Sequence, residues 1–301
     1  MKKKILITGG AGFIGSNLAS FLINKNISVN ILDNLSSGKR KNLPKKINFY
    51  YGDIRNKSDL NRASKKCSII IHLAAISSLQ KTISNPDECI SNNVVGTVNV
   101  VNLCIKKKMK LIFSSTCAVY PINQKKKFRE IDHKNYDTPY AISKITGENI
   151  IKFFFSQNVL KGVILRFFNV YGKNQNHNSI YSAVIAKFIN QARNKKPLTI
   201  YNGGKQKRDF INIQDVCRAI FLSINHKKND IYNIGTGIPT SINHLAKIVK
   251  KNFINTKTKN NYFNKFDALY SCANTRKTSN QLKFKSKISL NDGIKKLILN
   301  D

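Results

Sequence analysis

The chain has 301 residues, 41% of them hydrophobic, and a formal net charge of +37. That length buries a substantial core, and no run nears the ~18 consecutive apolar residues that span a bilayer, which speaks against a membrane-embedded protein. The charge comes from 43 Lys and nine Arg scattered along the whole chain; phosphate and base readout favours Arg, so the excess reads as a solvated surface that draws in small anions rather than as a nucleic-acid footprint.

Residues 5–8 form a short apolar, β-branched run that leads into Gly9, Gly10, Gly12 and Gly15, after which Phe13, Ile14, Leu18, Phe21 and Leu22 recur at helical spacing. The pattern is strand, glycine turn, helix. The spacing of Gly9, Gly12 and Gly15 allows a tight turn, brings a diphosphate against backbone N–H groups at a helix N-terminus, and lets the helix lie close on the sheet. The same glycines break off too early the lysine-led apolar start that imitates a secretion signal. A second strand over 29–32 ends at Asp33, where a carboxylate bonds a ribose 2′-hydroxyl and repels a 2′-phosphate. NAD is therefore expected over NADP, with Lys39 and Arg40 near enough in sequence to accommodate the extra phosphate.

Further strands are predicted over 47–51, 68–73, 110–115 and 162–167, separated by segments able to form helices. Such alternation predicts an α/β fold, a doubly wound parallel sheet covered on both faces. Asp53 lies past the third strand, Ala74 and Ala75 past the fourth, and Ser114, Ser115 and Thr116 at the end of the fifth, where ligands bind in such sheets. Each has an ordinary reading too, as a helix cap, small turn residues, or hydroxyls that satisfy nearby backbone. Cys67, Cys89, Cys104, Cys117, Cys217 and Cys272 contain no CxxC pair and no metal-ligand spacing. Free thiols in a reducing cytoplasm, and no metal, are expected.

Tyr140 and Lys144 are four apart in a segment that reads as helix through Ile151, so phenol and ammonium share one face. At about 6 Å and an effective dielectric of about 20, their attraction is about 2.8 kcal/mol, or about two pKa units in favour of the phenolate. That would make the tyrosine a usable proton shuttle, although the two residues taken alone read first as an ordinary surface helix. Beyond Gly172 the rhythm changes to a polar loop over 173–179, helical spacing over 180–193, and short elements rich in Asn and Lys. Residues 1–172 are expected to form a dinucleotide-binding domain to which the chain returns around 209–235, and 173–301 mainly a smaller substrate-binding lobe.

Taken together, residues 8–15, 33–35, 52–55, 72–75, 93–97, 114–120, 140–144, 165–172, 208–210 and 232–235 resemble the extended short-chain dehydrogenase/reductase family, in its nucleotide-sugar epimerase and dehydratase branch. The resemblance implies a Rossmann-type fold that holds NAD through Gly9, Gly12, Phe13, Ile14, Gly15, Asp33, Asn34, Asp53, Ile54, Leu73, Ala74, Ala75, Asn93 and Ser114, with Tyr140 and Lys144 at the nicotinamide end. Thr116, Tyr140 and Lys144 would be catalytic, Tyr140 as the acid/base. Ser115, Thr116, Asn169, Arg208 and Ser271 would contact a UDP-sugar, with Arg208 on its diphosphate. The reaction implied is inversion at C4 through a transient 4-keto sugar, by a homodimer joined through the helices that begin near Glu88 and Tyr140.

Dehydratases of the family carry Asp-Glu directly after the threonine; here Cys117 and Ala118 stand there, which favours an epimerase. The stretches Asn174-Gln175-Asn176 and Tyr181-Ser182-Ala183-Val184-Ile185 resemble the subgroup acting on UDP-N-acetylhexosamines, and alignment through Asp267 puts the small Ser271 beside the sugar's 2-substituent. Two departures stand out: Asn264 replaces the arginine of an Arg-x-Gly-Asp pattern, with Lys265 beside it, and Asn274 replaces the Asp of a later motif. Another nucleotide-sugar oxidoreductase, decarboxylase or dehydratase is the alternative within enzymes. A non-catalytic NAD-sensing or nucleic-acid-binding protein is the alternative of another class.

Overall fold

The computed structural model describes residues 4–121, 124–132, 134, 136–175, 184–262 and 269–300. Among them the strands are β1 (Lys4–Thr8), β2 (Ser28–Asp33), β3 (Asn48–Tyr51), β4 (Ile69–His72), β5 (Lys110–Thr116), β6 (Gly162–Phe167), β7 (Asn169–Tyr171), β8 (Leu198–Tyr201), β9 (Lys207–Asn212), β10 (Asp230–Ile234), β11 (Pro239–Ser241), β12 (Thr258–Asn261) and β13 (Tyr270–Ser271). The helices are α1 (Phe13–Ile23), α2 (Lys57–Ala63), α3 (Leu79–Ser84), α4 (Pro86–Ile90), α5 (Gly96–Lys106), α6 (Pro139–Ser156), α7 (Val184–Arg193), α8 (Ile213–Asn225), α9 (Ile242–Lys250), α10 (Arg276–Gln281) and α11 (Leu290–Asn300). The chain forms two units. One comprises Met1–Val119, Lys134–Arg166 and Cys217–Tyr232, the other Tyr120–His133, Phe167–Val216 and Asn233–Asp301. In this division 120–133 join the second unit and 217–232 the first, the latter within the stretch 209–235 where a return was expected.

In the first unit the sheet runs β10-β6-β5-β4-β1-β2-β3, with β1 parallel to β2 and β4, β2 to β3, and β4 to β5. Strands β4 and β6 are buried at every residue, including His72 and Arg166, as strands of a parallel sheet covered on both faces must be. Successive strands step one way from β1 to β3 and the other way from β4 to β6, so the order reverses between β1 and β4. The carboxyl ends at such a reversal leave a crevice for ligand. Leu6, Ile70, Val100, Val101, Leu111, Phe113 and Ile151 form the core on the side of α5 and α6.

The second unit holds short strands, in the order β11-β9-β13 with β7 also on β9, and the pair β12-β8. Its core includes Ile185, Phe188 and Ile189 of α7 and Leu245, Ala246 and Val249 of α9, packed with Tyr171, Leu198 and Ile294. The apolar residues of α7 and α9 recur at three and four positions, which gives each helix one buried stripe.

Candidate active site

The glycine turn is built as its spacing predicts. Gly9 has φ +70°, and a Cβ there would lie 2.6 Å from the Ala74 backbone nitrogen, so β1 and the end of β4 meet at a point that admits no side chain. A Cβ on Gly15 would strike the Gly9 carbonyl. Gly12 is the N-cap of α1 and offers no side-chain acceptor, and the first turn carries no acid. The first N–H groups of α1 are therefore available to an external anion, and the half-exposed Phe13 and Ile14 flank them. Asp33 ends β2 with Oδ2 accepting from the Ala11 N–H at 2.8 Å and Oδ1 from Leu35 at 2.8 Å. Burial pushes its carboxyl up and those two N–H groups pull it back.

Asn34, Ser36, Tyr51, Gly52, Asp53, Arg55, Asp59 and Arg62 line a cavity of about 560 Å³ past the ends of β2 and β3. Within it Asp53 accepts from Arg55 through both oxygens, at 3.0 and 2.7 Å, and from Asn34 at 3.0 Å. The Arg55 guanidinium is the main reason its carboxyl falls to about 2. Ile54 is buried and is the side chain that a Cβ on Gly96 would meet. The uncapped helix start, the glycine cradle and the carboxylate ending β2 fit a dinucleotide. Arg55, Tyr51 and Arg62 were not singled out from sequence, although Arg55 lies within the 52–55 match.

Strand β5 and helix α6 assemble the reactive groups. Thr138 caps α6 by accepting from the Ala141 N–H at 3.1 Å, and Pro139 follows at its first position. The Thr116 hydroxyl lies against the Tyr140 phenol and favours its ionised form, and its oxygen accepts from the Ala118 N–H at 3.1 Å. Lys144 is buried; its Nζ donates to the Ser114 carbonyl at 2.9 Å and sits 4.9 Å from the centroid of the Phe113 ring. Both α6 side chains thus reach the last residues of β5, and the structure brings Ser114, Thr116, Tyr140 and Lys144 together.

Two expectations at this cluster are corrected. The phenol of Tyr140 is raised above its ordinary value, not lowered, because burial is the largest influence and the Thr116 bond offsets part of it. The Coulomb argument assumed a solvated pair, whereas burial also depresses Lys144, to about 8, against the support of the Glu148 carboxylate. Ser115 points to the other side of β5 from Ser114 and Thr116. It is buried and donates to Glu148 at 2.6 Å, so its hydroxyl is an internal tie and not a ligand contact. Glu148 also takes Arg166 in a bidentate pair at 2.7 and 2.5 Å, with both side chains about 1% exposed.

A buried chain of hydrogen bonds links the glycine strand to α6. Thr97 gives its one hydroxyl proton to the Asn93 carbonyl at 2.6 Å, so at 3.0 Å it accepts from His72 Nε2. That fixes the tautomer and leaves Nδ1 to accept from Thr8 at 2.7 Å. Burial pushes His72 down to about 3, and the ring stays neutral. Asn93 lies in a π-turn over Ser91–Val95 that interrupts the run from α4 to α5. Its amide closes on Ile76 at 2.8 and 3.0 Å and donates to Ser143 at 3.1 Å, and Ser143 donates to the Tyr140 carbonyl at 2.8 Å. Asn93 thus braces Leu73, Ala74 and Ala75 from one side and the tyrosine's turn from the other. His72 was part of the family match, but its role depends on partners 64 and 25 residues away.

In the second unit Asn169, Arg208 and Ser271 share one small sheet. Asn169 begins β7, pairs with Phe210, and donates to the Asp209 carbonyl at 3.3 Å. Arg208 in β9 stands in register with Thr240 on β11 and Ser271 on β13, which puts the three on one face. Thr240 was not expected there; its place follows from an antiparallel pairing that sequence spacing does not reveal. Residues 176 and 181–183 of the hexosamine-like stretches, and Asn264, Lys265 and Asp267, lie outside the described residues. Among the described residues no cluster of metal ligands occurs, and no helix is long and apolar enough to cross a membrane.

A model of the NAD dependent epimerase/dehydratase family matches residues 5–235. The UDP-N-acetyl-alpha-D-glucosaminuronate decarboxylase of Bacillus cytotoxicus is 35% identical over 257 residues, 82% of this chain and 79% of that one. Among solved structures, a UDP-glucose 4-epimerase of Thermotoga maritima with UDP-glucose superposes with a TM-score of 0.93 at 32% identity, over 98% of this chain and 97% of that chain. A UDP-N-acetylglucosamine 4-epimerase of Methanobrevibacter ruminantium in complex with UDP-N-acetylmuramic acid gives a TM-score of 0.93 at 32% identity, over 100% of both chains.

Proposed function

Because the chain belongs to the NAD dependent epimerase/dehydratase family, we propose that it inverts C4 of a UDP-sugar, with UDP-N-acetylglucosamine and its C4 epimer as the leading pair. The observation that carries this is the phenol of Tyr140 held by the Thr116 hydroxyl, four residues from the buried ammonium of Lys144. Gly9, Gly12 and Gly15 with the start of α1 would hold the diphosphate of NAD, Asp33 its adenosine ribose, and Lys144 its nicotinamide ribose. When bound there, NAD would supply reversible hydride acceptance at C4, which lets the sugar pass through a 4-keto form and be reduced on its other face. Once it is a phenolate, the form that the Lys144 ammonium and the Thr116 hydroxyl favour against burial, Tyr140 would take the C4 hydroxyl proton and later give it back, while Thr116 orients that hydroxyl. No net redox results, so the protein's work is to position and retain.

Cys117 and Ala118 after Thr116 cannot act as the acid and base that remove water, which supports epimerisation over dehydration. Ser271, buried on the face that carries Arg208, is a small side chain that suits an acetamido substituent. The relationship to a decarboxylase supports a second reading, in which a sugar bearing a carboxylate beside the ketone loses carbon dioxide. Six free cysteines suit a reducing cytoplasm. A homodimer through the α4 and α6 regions is supported by the exposure of Ile90, Val95, Ile142 and Phe153. Anion-exchange chromatography of UDP-N-acetylglucosamine incubated with the protein and NAD tests the assignment. The C4 epimer should form, and Tyr140→Phe should stop it while NAD stays bound; undiminished turnover by Tyr140→Phe contradicts the role of the phenol.

A further inference from the structure

Asp209 has no place in the chemistry above, yet it is fully buried and its carboxylate accepts hydrogen bonds from three residues. Oδ1 accepts from the Thr236 N–H at 2.8 Å and the Thr236 hydroxyl at 2.6 Å. Oδ2 accepts from the Gly237 N–H at 2.9 Å and the Ala273 N–H at 3.1 Å, with the Cys272 thiol at 3.9 Å. A Cβ on Gly235 would lie 2.6 Å from Oδ2, so the turn after β10 closes on the carboxylate where no side chain fits. The group sits in β9 between β11 and β13, which contribute three and two residues. Ladders that short hold few hydrogen bonds, so the register of Arg208 against Thr240 and Ser271 depends on ties outside the ladder. Asp209 supplies one on each side, since Thr236 and Gly237 lead into β11 and Cys272 and Ala273 follow β13.

We propose that Asp209 is a positioning residue for substrate: by fastening β11 and β13 to β9 it fixes Arg208, Thr240 and Ser271 on one face at the spacing that grips the diphosphate of a nucleotide sugar. The inference rests on the reading of Arg208 as the diphosphate contact. Side chains alternate along a strand, so the carboxylate anchors the sheet on one face while Arg208 projects from the other. Losing a charged acceptor leaves several buried donors unsatisfied and lets β11 and β13 shift, which loosens the geometry a guanidinium needs on phosphate oxygens.

Calorimetric titration of the NAD-loaded protein with UDP provides the test, alongside KM and kcat for UDP-N-acetylglucosamine. Asp209→Asn should weaken UDP binding about ten- to a hundredfold and raise KM in step, with kcat and NAD affinity little changed. Thr236→Val removes one donor, keeps the Thr236 N–H, and should give a smaller loss in the same direction even if Asp209→Asn fails to fold. The double variant Arg208→Met with Asp209→Asn should bind UDP no more weakly than Arg208→Met alone, because Asp209 acts through the arginine. Unchanged UDP affinity in both single Asp209 and Thr236 variants, or additive losses in the double variant, would overturn the proposal. Unchanged UDP affinity in Arg208→Met would instead overturn the reading of Arg208, and the proposal with it.

Discussion

Lys144 carries a proton below about 8 and loses it above, because burial has drawn its ammonium down from the ordinary lysine range. Its folded value lies below the unfolded one, so the cation is present at neutral pH and disappears as pH rises through about 8. Turnover should accordingly fall on the alkaline side with a midpoint near pH 8, measured at saturating NAD; a profile flat to well above that value contradicts a catalytic ammonium at Lys144. The buried pair of Glu148 and Arg166 makes a different prediction. Arg166→Met strips Glu148 of its bidentate partner and leaves it the Ser115 hydroxyl and the charge of Lys144, and removing one partner of a buried pair costs about 3–5 kcal/mol. Urea unfolding should show a loss of that size, whereas a loss below about 1 kcal/mol, as at a surface pair, would show that the site relaxes or admits water. At this scale spacing placed Tyr140 and Lys144 on one helix face, and the family resemblance added Thr116 at the end of a strand. It missed what burial does to their pKa values and where Ser115 points, because solvent exposure is set by elements far along the chain.

The strand, glycine turn and helix over 4–23 is the element most fully readable in the sequence, because its geometry is local. Gly9 needs its positive φ and its close approach to Ala74, and Gly15 lies against the Gly9 carbonyl. Gly15→Val should therefore abolish NAD binding by displacing α1, and fluorescence titration with NAD reads the loss; tight binding by the variant would show that the helix can move without cost. Helix α6 was equally legible through Ile151 and extends to Ser156, and its Thr138 cap should contribute about 1 kcal/mol, lost in Thr138→Ala. The small sheet around β9 was not legible. Its strands are two to six residues long, and the partners of Asp209 lie 27 to 64 residues away. Nothing in local periodicity announces such a hub.

For the whole molecule, a net charge of +37 on 301 residues should gather a dianionic substrate by long-range attraction. KM for a UDP-sugar should rise as ionic strength increases from about 0.01 M to about 0.15 M, where the screening length shrinks from about 30 Å to about 8 Å, with kcat unaffected. A KM indifferent to salt would assign the charge no part in substrate capture. If the exposed apolar residues of α4 and α6 mediate a homodimer, Phe153→Glu should yield monomers in sedimentation velocity while the unaltered protein sediments as a dimer. The alternation of strand and helix made the sheet readable from sequence, whereas the placement of 120–133 with the second unit left no compositional mark. The proposed chemistry is tested most directly by a proton NMR time course of the protein with NAD and an equimolar mixture of UDP-N-acetylglucosamine and UDP-glucose, read at the anomeric signals. The C4-inverted acetamido sugar should grow in ahead of UDP-galactose, with no accumulation of NADH. Persistence of both starting sugars, or stoichiometric conversion of NAD to NADH, would contradict the proposed chemistry.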